Sequence, residues 1–103
     1  MEIFDLIAEH DHEQVVLCYE PAAGYRGIIA IHNTKLGPAL GGTRFCHYKN
    51  DREAVIDALR LARGMTDKAA ITGLNLGGGK SVIIGDPRTK DREAIFRAHG
   101  RFV

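Results

Sequence analysis

Leu74-Asn75-Leu76-Gly77-Gly78-Gly79-Lys80-Ser81-Val82-Ile83-Ile84 decides how this chain is read. Three consecutive glycines deliver one lysine to the start of an apolar, β-branched run. Glycine costs conformational entropy and offers no side chain to pack. Three in a row imply that backbone passes close to something, with Lys80 as the reactive group beside it. Gly79-Lys80-Ser81 matches the end of a phosphate loop, but the earlier glycine of that pattern falls on Leu74, and Gly73 misses by one place. The context is also reversed. A phosphate loop opens a helix, whereas residues 81–84 read as a strand following the glycines.

Working outward, residues 2–10 carry Ile3, Phe4, Leu6 and Ile7 at helical spacing. Residues 13–19 and 26–32 read as strands joined through Pro21-Ala22-Ala23-Gly24, a hairpin candidate. Residues 33–38 form a loop and 43–48 a third strand. Asn50 and Glu53 resemble a capping box. The helix they open is expected to stop at Gly64, with Arg60 and Arg63 near its C-terminal end. Thr66 is expected to cap a second short helix, carrying Lys68 and ending near Gly73. After the strand at 81–84, Gly85-Asp86-Pro87 turns the chain, and a last helix starts at Thr89 or Lys90. The same opening, Asp-Arg-Glu-Ala and two apolar residues, occurs at 51–56 and 91–96. Shared helix-start chemistry explains it without an internal repeat. The fold class is α/β, a small mixed sheet flanked by helices. No complete G-x-G-x-x-G follows a strand, so the dinucleotide fingerprint is missing.

The chain has 103 residues, one domain by length. That size buries roughly two-thirds of the unfolded surface. Its 14 basic and 13 acidic side chains leave a net charge of +1, which argues against nucleic acid or an anionic membrane as a partner. No apolar run is long enough to span a bilayer, and the N-terminus lacks the basic start of a signal peptide. Cys18 and Cys46 read as buried free thiols in a reducing cytoplasm, with a disulfide as the lesser alternative. The five histidines are scattered, with no Cys/His cluster at metal spacing.

Two lysines frame the glycine stretch, Lys68 and Lys80, and a second glycine pair, Gly41-Gly42, precedes a strand. Two places of close backbone approach and two ammonium groups suit a small carboxylate. One lysine can hold the carboxylate as a point charge. The other, desolvated near a like charge, becomes able to exchange protons near neutral pH. The plain alternative is a solvated lysine at a helix end and a glycine-rich turn.

Gly37-Pro38-Ala39-Leu40-Gly41-Gly42-Thr43-Arg44, Ala58-Leu59-Arg60-Leu61-Ala62-Arg63-Gly64-Met65-Thr66, Lys68, Gly73 to Lys80 and Val82-Ile83-Ile84-Gly85-Asp86-Pro87 follow in order. Together they resemble the amino-acid dehydrogenases that act on glutamate, leucine, phenylalanine and valine, most closely the leucine and valine enzymes. The resemblance implies a substrate-binding and dimerisation domain, with NAD held by a Rossmann domain absent from this chain. It implies Lys80 as the catalytic lysine, which polarises the substrate and assists attack of water on the imine. It implies Lys68 as partner of the substrate carboxylate, and Leu40, Gly41, Gly42 and Met65 against the substrate. Gly77, Gly78 and Gly79 supply close backbone approach. Glutamate enzymes carry a lysine where Leu40 stands, so an aliphatic substrate is expected.

Asp67 departs from the tyrosine usual in the branched-chain enzymes and is expected to face solvent. The expected partners are an amino acid and further copies of the chain, and the expected location is the cytoplasm. The family's catalytic aspartate and cofactor domain are not in this chain, and Arg101-Phe102-Val103 reads as an uncapped helix end, so a truncated domain is expected. Two functions follow: the substrate half of an NAD-dependent leucine or valine dehydrogenase, or an inactive amino-acid-binding or oligomerisation module.

Overall fold

In the computed structural model, residues 2–35, 37, 39–73 and 75–103 are described, with Leu40 described by its backbone alone. Leu36, Pro38, Leu74 and the Leu40 side chain, which the sequence motifs include, lie outside the described residues. The elements are α1 (Ile3–Glu9), β1 (Gln14–Glu20), β2 (Tyr25–Asn33), β3 (Ala39–Leu40), β4 (Thr43–Cys46), α2 (Asp51–Ile71), β5 (Gly77–Ile84) and α3 (Arg92–Phe102). The sequence suggests no strand at Ala39–Leu40, and β4 ends two residues earlier than expected.

β1 and β2 form the expected antiparallel hairpin, with Glu20 opposite Tyr25. A single 3-10 turn at Pro21–Ala23 closes it, ending on Gly24 at φ 66°, a left-handed conformation that glycine adopts without strain. β5 takes the centre of the sheet. One edge pairs antiparallel with β2, so that Ala30 lies opposite Lys80. The other edge pairs in parallel with β3 and then β4. Five strands therefore occupy four positions, with β1 at the outer edge.

The three glycines are inside β5, a correction to the loop expected there. They serve close packing. A Cβ on Gly78 would strike the Thr66 backbone N–H and the Ala62 carbonyl of α2, and one on Gly77 would strike the Asn33 carbonyl of β2. The helix thus lies directly on strand backbone at this end of the sheet. Further along, Val82 and Ile84 pack beneath Ala54, Val55, Ala58, Leu59 and Ala62, with Leu6 of α1 completing that core. The opposite face holds a smaller cluster of Cys18, Tyr25, Ile83, Ile95 and Ala98, covered by α3.

α2 is one helix of 21 residues, not two. Asn50 caps it as expected, its side chain accepting from the Glu53 N–H at 2.9 Å. Gly64 does not end it. A mid-helix glycine costs about 1 kcal/mol relative to alanine, and the apolar stripe from Ala54 through Ala62 to Ala69 is buried on both sides of it. Gly73, at φ 75°, follows the true end. Thr66 is accordingly not a cap; its hydroxyl meets His32 Nδ1 at 2.8 Å. Arg60 and Arg63 sit mid-helix rather than at its C-terminus. Cys18 is buried as expected and Cys46 only partly, and both are free thiols. No helix among the described residues is long and apolar enough to cross a membrane.

Candidate functional site

β3 and β4 keep one register against β5. Ala39 faces Gly77, Leu40 faces Gly78 and Thr43 faces Ser81, so each partner is 38 positions on. The two strands are one edge interrupted at Gly41-Gly42, which fall level with Gly79 and Lys80. Contacts agree. A Cβ on Gly41 would overlap the Gly79 carbonyl, and a Cβ on Gly42 would stand 3.2 Å from Lys80 Nζ. Lys80 leaves β5 on the α2 face, in alternation with Gly78 and Val82. Its lateral neighbours are the two smallest available, Ala30 and Gly42, and it is half-buried.

The flank of α2 above this edge is fixed by Asp57. Its carboxylate accepts from Tyr48 Oη at 2.6 Å and from Arg60 at 2.7 Å, and lies 3.7 Å from Arg44 of β4. Burial opposes its ionisation, but the Tyr48 and Arg60 hydrogen bonds and the Arg44 charge outweigh this and hold the carboxyl below its ordinary range. Leu61, Met65 and Lys68 continue the Asp57 stripe at helical spacing. On the helix, Met65 is half-buried and Lys68 exposed. Asp67 is exposed, as expected.

A cleft of about 390 Å³ borders the same edge and is lined by Ala39, Gly41, Gly42, Thr43, Gly79 and Lys80, among others. Its floor, Val16 and Ile29, belongs to the α3 face. Lys80, Gly41, Gly42 and Gly79 therefore meet there. Met65, Lys68, Gly77 and Gly78 are not part of its wall.

Sequence reasoning missed a polar chain behind the edge, buried at Tyr25, His99 and Ser81 and reaching the surface at Thr43. Tyr25 Oη lies 2.6 Å from His99 Nδ1, His99 Nε2 lies 3.0 Å from Ser81 Oγ, and Ser81 Oγ lies 2.8 Å from Thr43 Oγ1. Burial pushes the His99 imidazole below its ordinary pKa and the Tyr25 phenol above its own. Its only sequence signal is that Ser81 follows Lys80 and Thr43 follows Gly42.

The glycines do not cradle a dinucleotide. They lie within a strand instead of opening a helix, and protein backbone fills the space beside Gly77 and Gly78. These residues do not fit NAD.

Residues 12–103 match the Glu/Leu/Phe/Val dehydrogenase dimerisation domain. The chain is 60% identical over all 103 residues to a leucine dehydrogenase of Geobacillus stearothermophilus, spanning 28% of that protein. It is 61% identical over 92 residues, 89% of the chain, to a valine dehydrogenase of Streptomyces albus, spanning 25% of it. The crystal structure of L-tryptophan dehydrogenase from Nostoc punctiforme superposes with a TM-score of 0.93 at 48% identity, over 98% of this chain and 30% of that one. The chain thus spans little more than a quarter of the curated relatives it matches. The mixed sheet, the glycine-lysine strand and these matches agree: the chain belongs to the Glu/Leu/Phe/Val dehydrogenase family, within its dimerisation domain.

Proposed function

We propose that this chain is the substrate-binding half of an NAD-dependent dehydrogenase that deaminates leucine or valine to the 2-oxo acid and ammonia. NAD is held by a domain outside this chain. Lys80 is the catalytic residue: it polarises the substrate and serves the proton exchange with the attacking water. Lys68 pairs with the α-carboxylate. Leu40, Gly41, Gly42 and Met65 line the substrate, and Gly77 to Gly79 let strand and helix close beneath it.

The observation that carries this reading is the level placement of Lys80 and Gly42 across the strand edge. An ammonium beside a missing side chain leaves room for a ligand atom where charge is available. Leu40 supports an aliphatic substrate, because a side-chain carboxylate left unpaired in a closed pocket costs several kcal/mol, roughly. Leucine and valine differ by one methylene, worth about 1–3 kcal/mol. The same reading makes the protein a homo-oligomer in the cytoplasm, in keeping with the free thiols at Cys18 and Cys46.

The test is Lys80→Ala in the full-length protein. Leucine deamination should fall by several orders of magnitude while the circular dichroism spectrum is unchanged. A variant that retains most of its kcat overturns the assignment.

A further inference from the structure

Pairing along the β5 edge is interrupted at Gly41-Gly42 and resumes at Thr43. Two adjacent glycines are the freest backbone available, yet Gly42 must hold its place beside Lys80 if the site is to keep its shape. The first backbone bond after the gap runs from the Ser81 N–H to the Gly42 carbonyl at 3.1 Å. Ser81 Oγ stands 3.4 Å from the same carbonyl. The chain behind it pairs Tyr25 Oη with His99 Nδ1, His99 Nε2 with Ser81 Oγ, and Ser81 Oγ with Thr43 Oγ1. With His99 neutral the direction of donation follows the tautomer, one ring nitrogen donating and the other accepting. Tyr25, Ser81 and His99 are all buried. Buried polar groups that are fully satisfied rigidify what they join. This chain joins α3 and β2 to the residues that directly follow Lys80 and Gly42.

We infer that Tyr25, His99, Ser81 and Thr43 form a positioning chain that fixes the spacing of Gly42 and Lys80 from the opposite face of the sheet. His99, Ser81 and Thr43 are thus positioning residues. They touch no reacting atom and act by holding the glycine pair against the lysine. This inference rests on the site proposed above only for its functional meaning; the spacing itself can be measured without substrate.

The experiment is NMR on the 103-residue chain with labelled lysine and glycine, reading the nuclear Overhauser effect between Gly42 Hα and Lys80 Hε. Ser81→Ala and Thr43→Val remove one hydroxyl each with little change of volume. Each should weaken that signal at least threefold relative to a reference pair within β1 and β2. His99→Ala should do the same, and His99→Gln, which keeps a donor toward Ser81, should restore part of it. A merely structural network lowers the melting temperature and leaves the signal alone; an unchanged signal in the hydroxyl variants overturns the proposal, as does its absence in the unsubstituted chain. Thr43 is exposed, so its variant serves if Ser81→Ala does not fold. Adding L-leucine to the unsubstituted chain tests the other reading separately. A Lys80 resonance that ignores leucine counts against the substrate site and leaves the positioning result standing.

Discussion

Gly42 stands level with Lys80 across the parallel edge of the sheet, so close that a methyl group on Gly42 would sit 3.2 Å from the lysine nitrogen. The lysine end is flexible and can give way. Its neighbour Gly41 differs, because there a methyl group would overlap the Gly79 carbonyl, which is strand backbone. Gly42→Ala should therefore fold with a near-normal melting temperature but lose about tenfold or more in kcat/KM in the full-length protein. Gly41→Ala should lose about 2 kcal/mol or more of stability, as overpacked sites do. Thermal melts of both, with an assay of the first, check this pair. Equal destabilisation by the two would refute the register described for this edge.

Gly64 interrupts neither α2 nor its buried stripe. A methyl group there would meet no atom within 4 Å, and the residue does not adopt positive φ. Gly64→Ala should raise stability by about 1 kcal/mol, or about 4–8 °C in melting temperature for a domain of this size. A decrease on calorimetry would show that the helix needs a flexible point there.

Two buried histidines set the acid response. Burial holds both His12 and His99 below their ordinary value of 6.5. His12 Nε2 donates to the Leu59 carbonyl at 2.8 Å, while its buried Nδ1 has no partner among the described residues. Each ring is neutral when folded, and the unfolded chain binds the extra proton first. Stability is then fully present above about pH 6.5 and is lost as pH falls below it toward the folded values, at no more than about 1.4 kcal/mol per pH unit for each histidine. Urea melts from pH 7.5 to 5.5 should show this decline, and His99→Gln should flatten it. A stability that rises on acidification over this range would contradict the burial of both rings.

β1 is the outer strand of the sheet, with Leu17 and Tyr19 exposed at 64% and 67%. Ile3, Val55 and Ile84 line the apolar hollow of about 420 Å³ beside them. An open apolar edge invites pairing with another chain. The chain should form dimers or larger species at micromolar concentration, and Leu17→Lys with Tyr19→Lys should shift it toward monomer by light scattering. A clean monomer before substitution would contradict the expected self-association.

Much of this was legible from local chemistry. The hairpin followed from the turn residues at 21–24, and the Asn50 cap from its spacing to Glu53. Gly64 misled, because a glycine signals a helix end only when its backbone turns left-handed, and here the buried alanines carry the helix through. The three glycines misled more. Read locally they are a loop, but what they permit is contact with α2 and β2, residues 12 or more positions away, which no window on the sequence displays. The pairing of Lys80 with Gly42 was suggested only as company in one pocket; its register comes from strand order. The Tyr25–His99 contact spans 74 positions and left no local trace.

The central place of β5 has a consequence for how the molecule is made. It is the last strand in the chain yet lies between β2 and the β3–β4 edge, which among the described residues no other strand bridges. During synthesis the hairpin and the Gly41-Gly42 segment must wait, unjoined, until residue 84 has emerged. Contacts that depend on distant residues form slowly. Lys80 of the candidate site is thus delivered by the strand that completes the sheet, so a ribosome-bound chain stopped before Lys80 should hold neither the full sheet nor the site.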